Sequence, residues 1–143
     1  MSTVAAISTG RAPGGIGVIR ISGENAISVA DKIFSSFNGK KLCELSGYSA
    51  LYGKASDEKG NIDNVVALVF KAPKSYTGED VVEISCHGGL FVTDKVLKAV
   101  YSAGAIPAEP GEFTKRAFLN GKMDLTSAES VMNIISAQGE QAE

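Results

Sequence analysis

At 143 residues the chain falls in the size range of one domain and can bury a sizeable core. Apolar residues make up 44% and charged residues 21%, a balance that argues against both intrinsic disorder and a membrane-spanning class. The net charge is −2 and the basic residues are scattered, so the chain lacks the basic stripe of a free-standing nucleic-acid binder. If it serves RNA, most phosphate contacts must come from elsewhere. The first seven residues carry no basic segment followed by a long apolar run, which excludes a secretory signal. Cys43 and Cys86 stand at no metal-like spacing and read as reduced thiols of a cytoplasmic protein, with a disulfide between them as the alternative.

Residues 4–7 form a short apolar strand candidate, followed by a glycine-rich loop over 8–15. Residues 16–22 are β-branched and largely apolar on both faces, which predicts a strand buried between layers. Gly23 leads into a predicted helix over 24–34, with Ile27, Ala30, Ile33 and Phe34 on one stripe. After an irregular stretch, residues 48–55 and 62–71 read as a hairpin closed by a polar loop with Gly60 at a tight-turn position. A turn-rich loop precedes a strand over 80–86, which ends at His87-Gly88-Gly89. A helix follows over 90–102, with Val92, Val96, Leu97 and Val100 inward and Gly104 as its stop. Residues 105–109 suggest a last short strand, and 112–119 a short helix. Thr126-x-x-Glu129 reads as a capping box that opens a final helix with Val131, Ile134 and Ile135 on one face. The class is α+β with a mixed β-sheet and packed helices, and the one boundary candidate lies at 121–123.

Several residues carry possible chemistry. The loop at 10–15 has the glycine spacing of a phosphate loop, but Ile16-Gly17 follows where Lys-Ser/Thr is needed, so no nucleotide P-loop is present. It is either a tight turn or a ligand loop of another kind. Arg20 sits among Val18, Ile19 and Ile21, where a charge needs a salt-bridge partner or a ligand's carboxylate or carbonyl. Glu83 is its mirror case. Alternation puts Glu83 and Ser85 on one face of their strand and Val82, Ile84 and Cys86 on the other. The Glu83 carboxylate could pair with Arg20, stand on an edge strand, or accept two parallel N–H bonds from an amino-pyrimidine edge. His87 is the only histidine, and its position next to Cys86 does not make a nucleophile–base couple while both remain on one strand. Lys122 by itself reads as an exposed loop lysine.

Taken together, four segments resemble the MnmE/TrmE family of tRNA-modification GTPases: GIGVIRISG at 15–23, YTGEDVVEI at 76–84, HGG at 87–89 and PGEFTKRAFLNGKMDL at 110–125. The departure is TGRAPGG at 9–15, where the family usually reads TPPGRGG. The resemblance implies a folate-binding and dimerisation domain over 1–121, similar in fold to the folate-binding domain of aminomethyltransferases. Residues 122–143 would begin a helical domain, cut off before the Ras-like G domain. It also implies 5-formyltetrahydrofolate or 5,10-methylenetetrahydrofolate as ligand, with contacts from Arg20, Glu83 and Lys122. GTP, Mg²⁺ and K⁺ would belong to the missing G domain alone, so no GTPase activity is expected of this chain. Implied partners are a second copy of the domain and, for the longer protein, the flavoprotein MnmG and tRNA, in modification of C5 of the wobble uridine. A cytoplasmic, membrane-free location is implied too. Three functions remain in play: a folate-binding module, a self-sufficient folate-dependent one-carbon transferase with His87 as its acid–base group, and a purely structural dimerisation unit.

Overall fold

Period-two alternation in the three central strands puts their apolar members on one side, and that side becomes the core. The computed structural model describes the backbone of residues 1–9 and 15–142, and the side chains of 1–9 and 15–135. Residues 10–14 of the expected turn or ligand loop therefore lie outside the described residues. The strands are β1 (Val4–Ile7), β2 (Gly17–Ser22), β3 (Phe34–Ser36), β4 (Ser49–Asp57), β5 (Gly60–Phe70), β6 (Val81–Cys86) and β7 (Ile106–Pro107). They form one sheet in the order β3-β4-β5-β6-β2-β1-β7, antiparallel except for the β1–β7 pair. The expected mixed sheet is present. Pro107 is tolerated in β7 because that strand lies at the sheet's edge, where a missing N–H leaves no ladder partner stranded.

One face of the sheet offers Ile19 and Ile21 of β2, Val65, Ala67 and Val69 of β5, and Val82 and Ile84 of β6, all buried. Helices α1 (Ala26–Ile33) and α2 (Gly89–Ser102) cover this face with Ala26, Val29, Ala30 and Ile33, and with Val96, Leu97 and Val100. Burying a side chain of the Val, Leu or Ile type contributes about 1.5–3 kcal/mol, so this layer holds most of the fold's apolar stabilisation. The opposite face carries Val18, Arg20, Tyr52, Val66, Leu68, Glu83 and Ser85, each half-buried or exposed. This corrects the expectation that β2 is buried on both sides: its Val18–Arg20 face lies outside the helical layer. Helix α3 (Glu112–Leu119) reaches that second face near Arg20.

Other boundaries differ for local reasons. The α1 stripe is Ala26, Val29, Ala30 and Ile33. Phe34 leaves the helix with extended backbone to start β3, and Gly53 lets β3 lie close against β4. Most of the expected hairpin loop is strand, leaving Glu58-Lys59 as the turn between β4 and β5. A 3-10 turn at Leu42–Glu44 occupies part of the stretch read as irregular, and the Asp31 carboxylate accepts the N–H groups of Leu42 and Cys43. The last helix, α4 (Leu125–Ala142), begins before the expected capping box. Asp124 rather than Thr126 closes its first turn, accepting the Ser127 N–H at 2.7 Å, and this bond holds the Asp124 carboxyl below its ordinary pKa. Helix α4 packs on α3, with Met132 close to Gly111 at the start of α3 and Ala128 buried, while Ile134 remains exposed.

Candidate ligand site on the open sheet face

Strands β2 and β6 run antiparallel with Arg20 directly opposite Glu83, so the two uncomfortable charges of the sequence share one rung of the ladder. The Arg20 Nε donates to Glu83 Oε2 at 2.9 Å, and the two side chains are 23% and 22% exposed. Among the described residues, Glu83 Oε1 and the two terminal nitrogens of Arg20 make no hydrogen bond. The pair thus has its charges matched but much of its bonding capacity unspent. Two aromatic rings stand against the guanidinium: the Arg20 Cζ lies 4.9 Å from the Tyr76 centroid and 5.3 Å from that of Phe113. The Tyr76 hydroxyl and Thr114 Oγ1 share a hydrogen bond of 2.9 Å, which fixes the ring's tilt against α3.

Beside this pair lies a second cluster, which the sequence reading did not assign. Arg116, 2% exposed, donates from Nη1 to both oxygens of Glu79 at 3.0 and 3.2 Å, and from Nη2 to Glu112 Oε2 at 2.7 Å. Its Nε bonds Glu112 as well, so every nitrogen of the fork is used. The Ser22 hydroxyl lies 2.7 Å from both Glu79 Oε1 and Thr77 Oγ1. Asn120 Nδ2 donates to the Thr77 carbonyl at 2.8 Å. The network joins β2, the 75–80 loop and α3, the three segments that carry Arg20, Tyr76 and Phe113. One half of the signal was visible, since Glu112 and Arg116 stand four apart on a helix. Glu79 is 37 residues away from Arg116 and gave none.

Lys122 follows α3 in an exposed turn, its N–H donating to the Ala117 carbonyl at 2.8 Å. Its stem borders Gly78, whose φ of 81° and close neighbours Asn120 and Lys122 leave no room for a side chain. Lys122 therefore shares a loop neighbourhood with Tyr76, but among the described residues no hydrogen bond or ion pair links it to Arg20 or Glu83.

His87 lies four residues beyond Glu83, about 13 Å along an extended strand. The Asp63 carboxylate accepts the His87 and Gly88 N–H groups at 2.7 and 3.1 Å and so closes the start of α2. Cys86 is buried against the core, and burial first, then the Asp63 charge, pushes its thiol up to about 12. A thiol held protonated is a poor nucleophile. Cys43 is exposed, and both cysteines are free.

A cavity of about 710 Å³ opens between α1, α2 and the β4–β5 turn, lined by Lys32, Lys59, Lys95 and Lys98 with Asp57 and Glu58. Its cations are partly spent: Lys32 donates to the Ala103 carbonyl at the end of α2, and Lys98 pairs with Asp94 at 3.0 Å. Two helix C-termini add partial negative charge there. The open sheet face holds the more specific chemistry.

A family model described as "GTP-binding protein TrmE N-terminus" matches residues 3–122. The chain belongs to the TrmE N-terminal family. Among curated relatives, the tRNA modification GTPase MnmE of Lachnoclostridium phytofermentans is 52% identical over 98% of this chain and 31% of its own length. That of Clostridioides difficile is 49% identical over 95% of the chain and 30% of its own length. The Bacillus licheniformis protein is 46% identical over 99% and 31%. The chain thus spans about a third of these relatives' length. The TrmE N-terminal match takes in Arg20, Glu83 and the whole Arg116 network, and its last residue is Lys122. None of the described helices is long and apolar enough to cross a membrane.

Proposed function

We propose that this chain is the folate-binding, dimer-forming N-terminal part of a cytoplasmic tRNA modification GTPase. It holds 5-formyl- or 5,10-methylenetetrahydrofolate for modification of the carboxymethylaminomethyl type at C5 of the wobble uridine. The observation that carries the reading is the Glu83 carboxylate, ion-paired to Arg20 through one oxygen and with no hydrogen bond at the other among the described residues, while two aromatic rings stand against the Arg20 guanidinium. The relatives' name, tRNA modification GTPase MnmE, supports the wider setting.

The donor set fits a folate. Glu83 accepts paired N–H groups from the pterin's amino-pyrimidine edge, as a carboxylate does from a guanidinium fork. The free terminal nitrogens of Arg20 donate to a ring carbonyl. Lys122, exposed at the rim, meets the glutamate tail carboxylates as a mobile point charge. When bound, the folate supplies the one-carbon unit, while the domain binds and orients. A self-sufficient transferase would require an acid–base group at the ring, and His87 is held away from Glu83 by its bonds to Asp63 and Asn64. The fold would be shared with the folate domains of aminomethyltransferases. Residues 122–143 would start the helical domain that carries the G domain, where GTP, Mg²⁺ and K⁺ bind. A second copy of this domain, MnmG and tRNA are the partners of the longer protein.

Titration calorimetry of 5-formyltetrahydrofolate into this chain, with its mass measured by light scattering, tests the reading. Saturable binding to a dimer is expected, weakened about 10- to 150-fold in Glu83→Gln, since a charge-assisted hydrogen bond is worth about 1.5–3 kcal/mol. A well-folded chain giving no heat at millimolar ligand contradicts it.

A further inference from the structure

Edge contacts alone leave a flat heteroaromatic ring half recognised, because its two faces make up most of its surface. Glu83 and Arg20 can meet the edge only. The faces require apolar or aromatic walls, and the contacts implied by the resemblance, Arg20, Glu83 and Lys122, supply none.

We propose that Tyr76 and Phe113 are these walls, receiving the faces of the pterin ring whose edge meets Glu83. The inference rests on the folate reading and deepens it. The Arg20 guanidinium marks the space, since it is itself a flat, delocalised group lying 4.9 and 5.3 Å from the two ring centroids. One hydrogen bond to Glu83 anchors it there, so it can slide aside or tilt to bond the incoming ring. Both rings are partly solvent-facing, with Tyr76 40% exposed, as a wall open to a ligand must be.

The walls are built in advance. Tyr76 is tied by its hydroxyl to Thr114, which is 4% exposed on α3. Thr77 next to it is fully buried, bonded to Ser22 and Asn120. Phe113 lies on the turn of α3 that the Glu112–Arg116 pair closes, and Arg116 also grips Glu79 of the Tyr76 loop. A single buried guanidinium thus sets the positions of both rings relative to β2. Walls ordered before binding cost the ligand no side-chain entropy. Arg116 and Glu79 are positioning residues for the site, and Tyr76 and Phe113 touch its occupant.

The test is titration of 5-formyltetrahydrofolate into the wild-type chain, Tyr76→Phe, Tyr76→Leu, Phe113→Leu and Glu83→Gln. Thermal melts serve as the folding control, and the ultraviolet absorbance of the bound ligand as the signature of stacking. Each leucine variant is expected to melt near the wild type, to bind about tenfold more weakly and to lose the absorbance decrease of a stacked ring. Tyr76→Phe keeps the ring and is expected to bind within about twofold of the wild type. Leucine variants with wild-type affinity and absorbance, alongside a Glu83→Gln variant that no longer binds, would overturn the walls while leaving the folate reading intact. A folded wild type that binds no folate removes both.

Discussion

Two arginines serve the same face of this sheet under opposite conditions. Arg116 is 2% exposed and spends its fork on two carboxylates, one of which also takes the Ser22 hydroxyl. Arg20 is 23% exposed, makes one described hydrogen bond, and faces a carboxylate with an oxygen to spare. A buried charge is tolerated only when its hydrogen-bonding capacity is met, so the Arg116 cluster is fixed by the fold's own needs. Among the described residues the Arg20 pair has no such closure. Unspent capacity in a half-covered, pre-shaped place is what a ligand can complete, and the contrast separates architecture from binding within a few residues of chain.

The largest test of the contrast is Arg116→Ala. It strands Glu79 and Glu112 without their cation and is expected to lower the unfolding free energy by about 3–5 kcal/mol in urea melts. A loss under about 1 kcal/mol would erase the distinction. The covered face of β6 offers a second check through Cys86, which points into the core while Glu83 points out. Its thiol is raised from the ordinary 9.0 to about 12, so the unfolded chain releases this proton first. The contribution is intact below pH 9 and lost as pH climbs towards about 12, so alkaline melts should be steeper in pH for the wild type than for Cys86→Ala. In native protein near neutral pH, iodoacetamide should label Cys43 and spare Cys86 until denaturant is added.

Smaller effects belong to the open face. Glu83→Gln is expected to cost no more than about 1 kcal/mol of stability, because the pair it breaks is partly hydrated. Lys122→Ala should leave the urea midpoint within experimental scatter, since the side chain is exposed and makes no described ion pair. Its effect should appear only in folate affinity, and should shrink as salt rises.

How far these roles could be read from sequence follows from the range of each signal. The β4–β5 hairpin, the α3 bounds at Glu112–Leu119 and the facing of Glu83 and Ser85 against Val82 and Ile84 all rest on local periodicity, and all are present. Strand β3 was hidden because Phe34 continues the apolar stripe of α1 with no glycine or proline to mark the exit. The capping box was misplaced by two residues, since Asp124 and Thr126 are both good caps and only geometry chooses between them. Arg20 and Glu83 stood out because a charge interrupts an apolar strand. Arg116 did not, because an arginine on a short amphipathic helix reads as solvated and its partner Glu79 is distant in sequence. Tyr76 and Phe113 lie in two of the family-like segments, but periodicity gave neither a role, as the two aromatics meet the Arg20 guanidinium only once α3 docks on the sheet.

The contrast between the two arginine clusters is tested most directly by melting Glu83→Gln and Glu79→Gln with and without saturating 5-formyltetrahydrofolate. Glu83→Gln should melt within a few degrees of the ligand-free wild type and lose the ligand-induced rise, which follows from binding to the folded state alone. Glu79→Gln should melt well below both without ligand. A Glu83→Gln variant that melts as low as Glu79→Gln, or one that retains the full ligand-induced rise, would contradict the account.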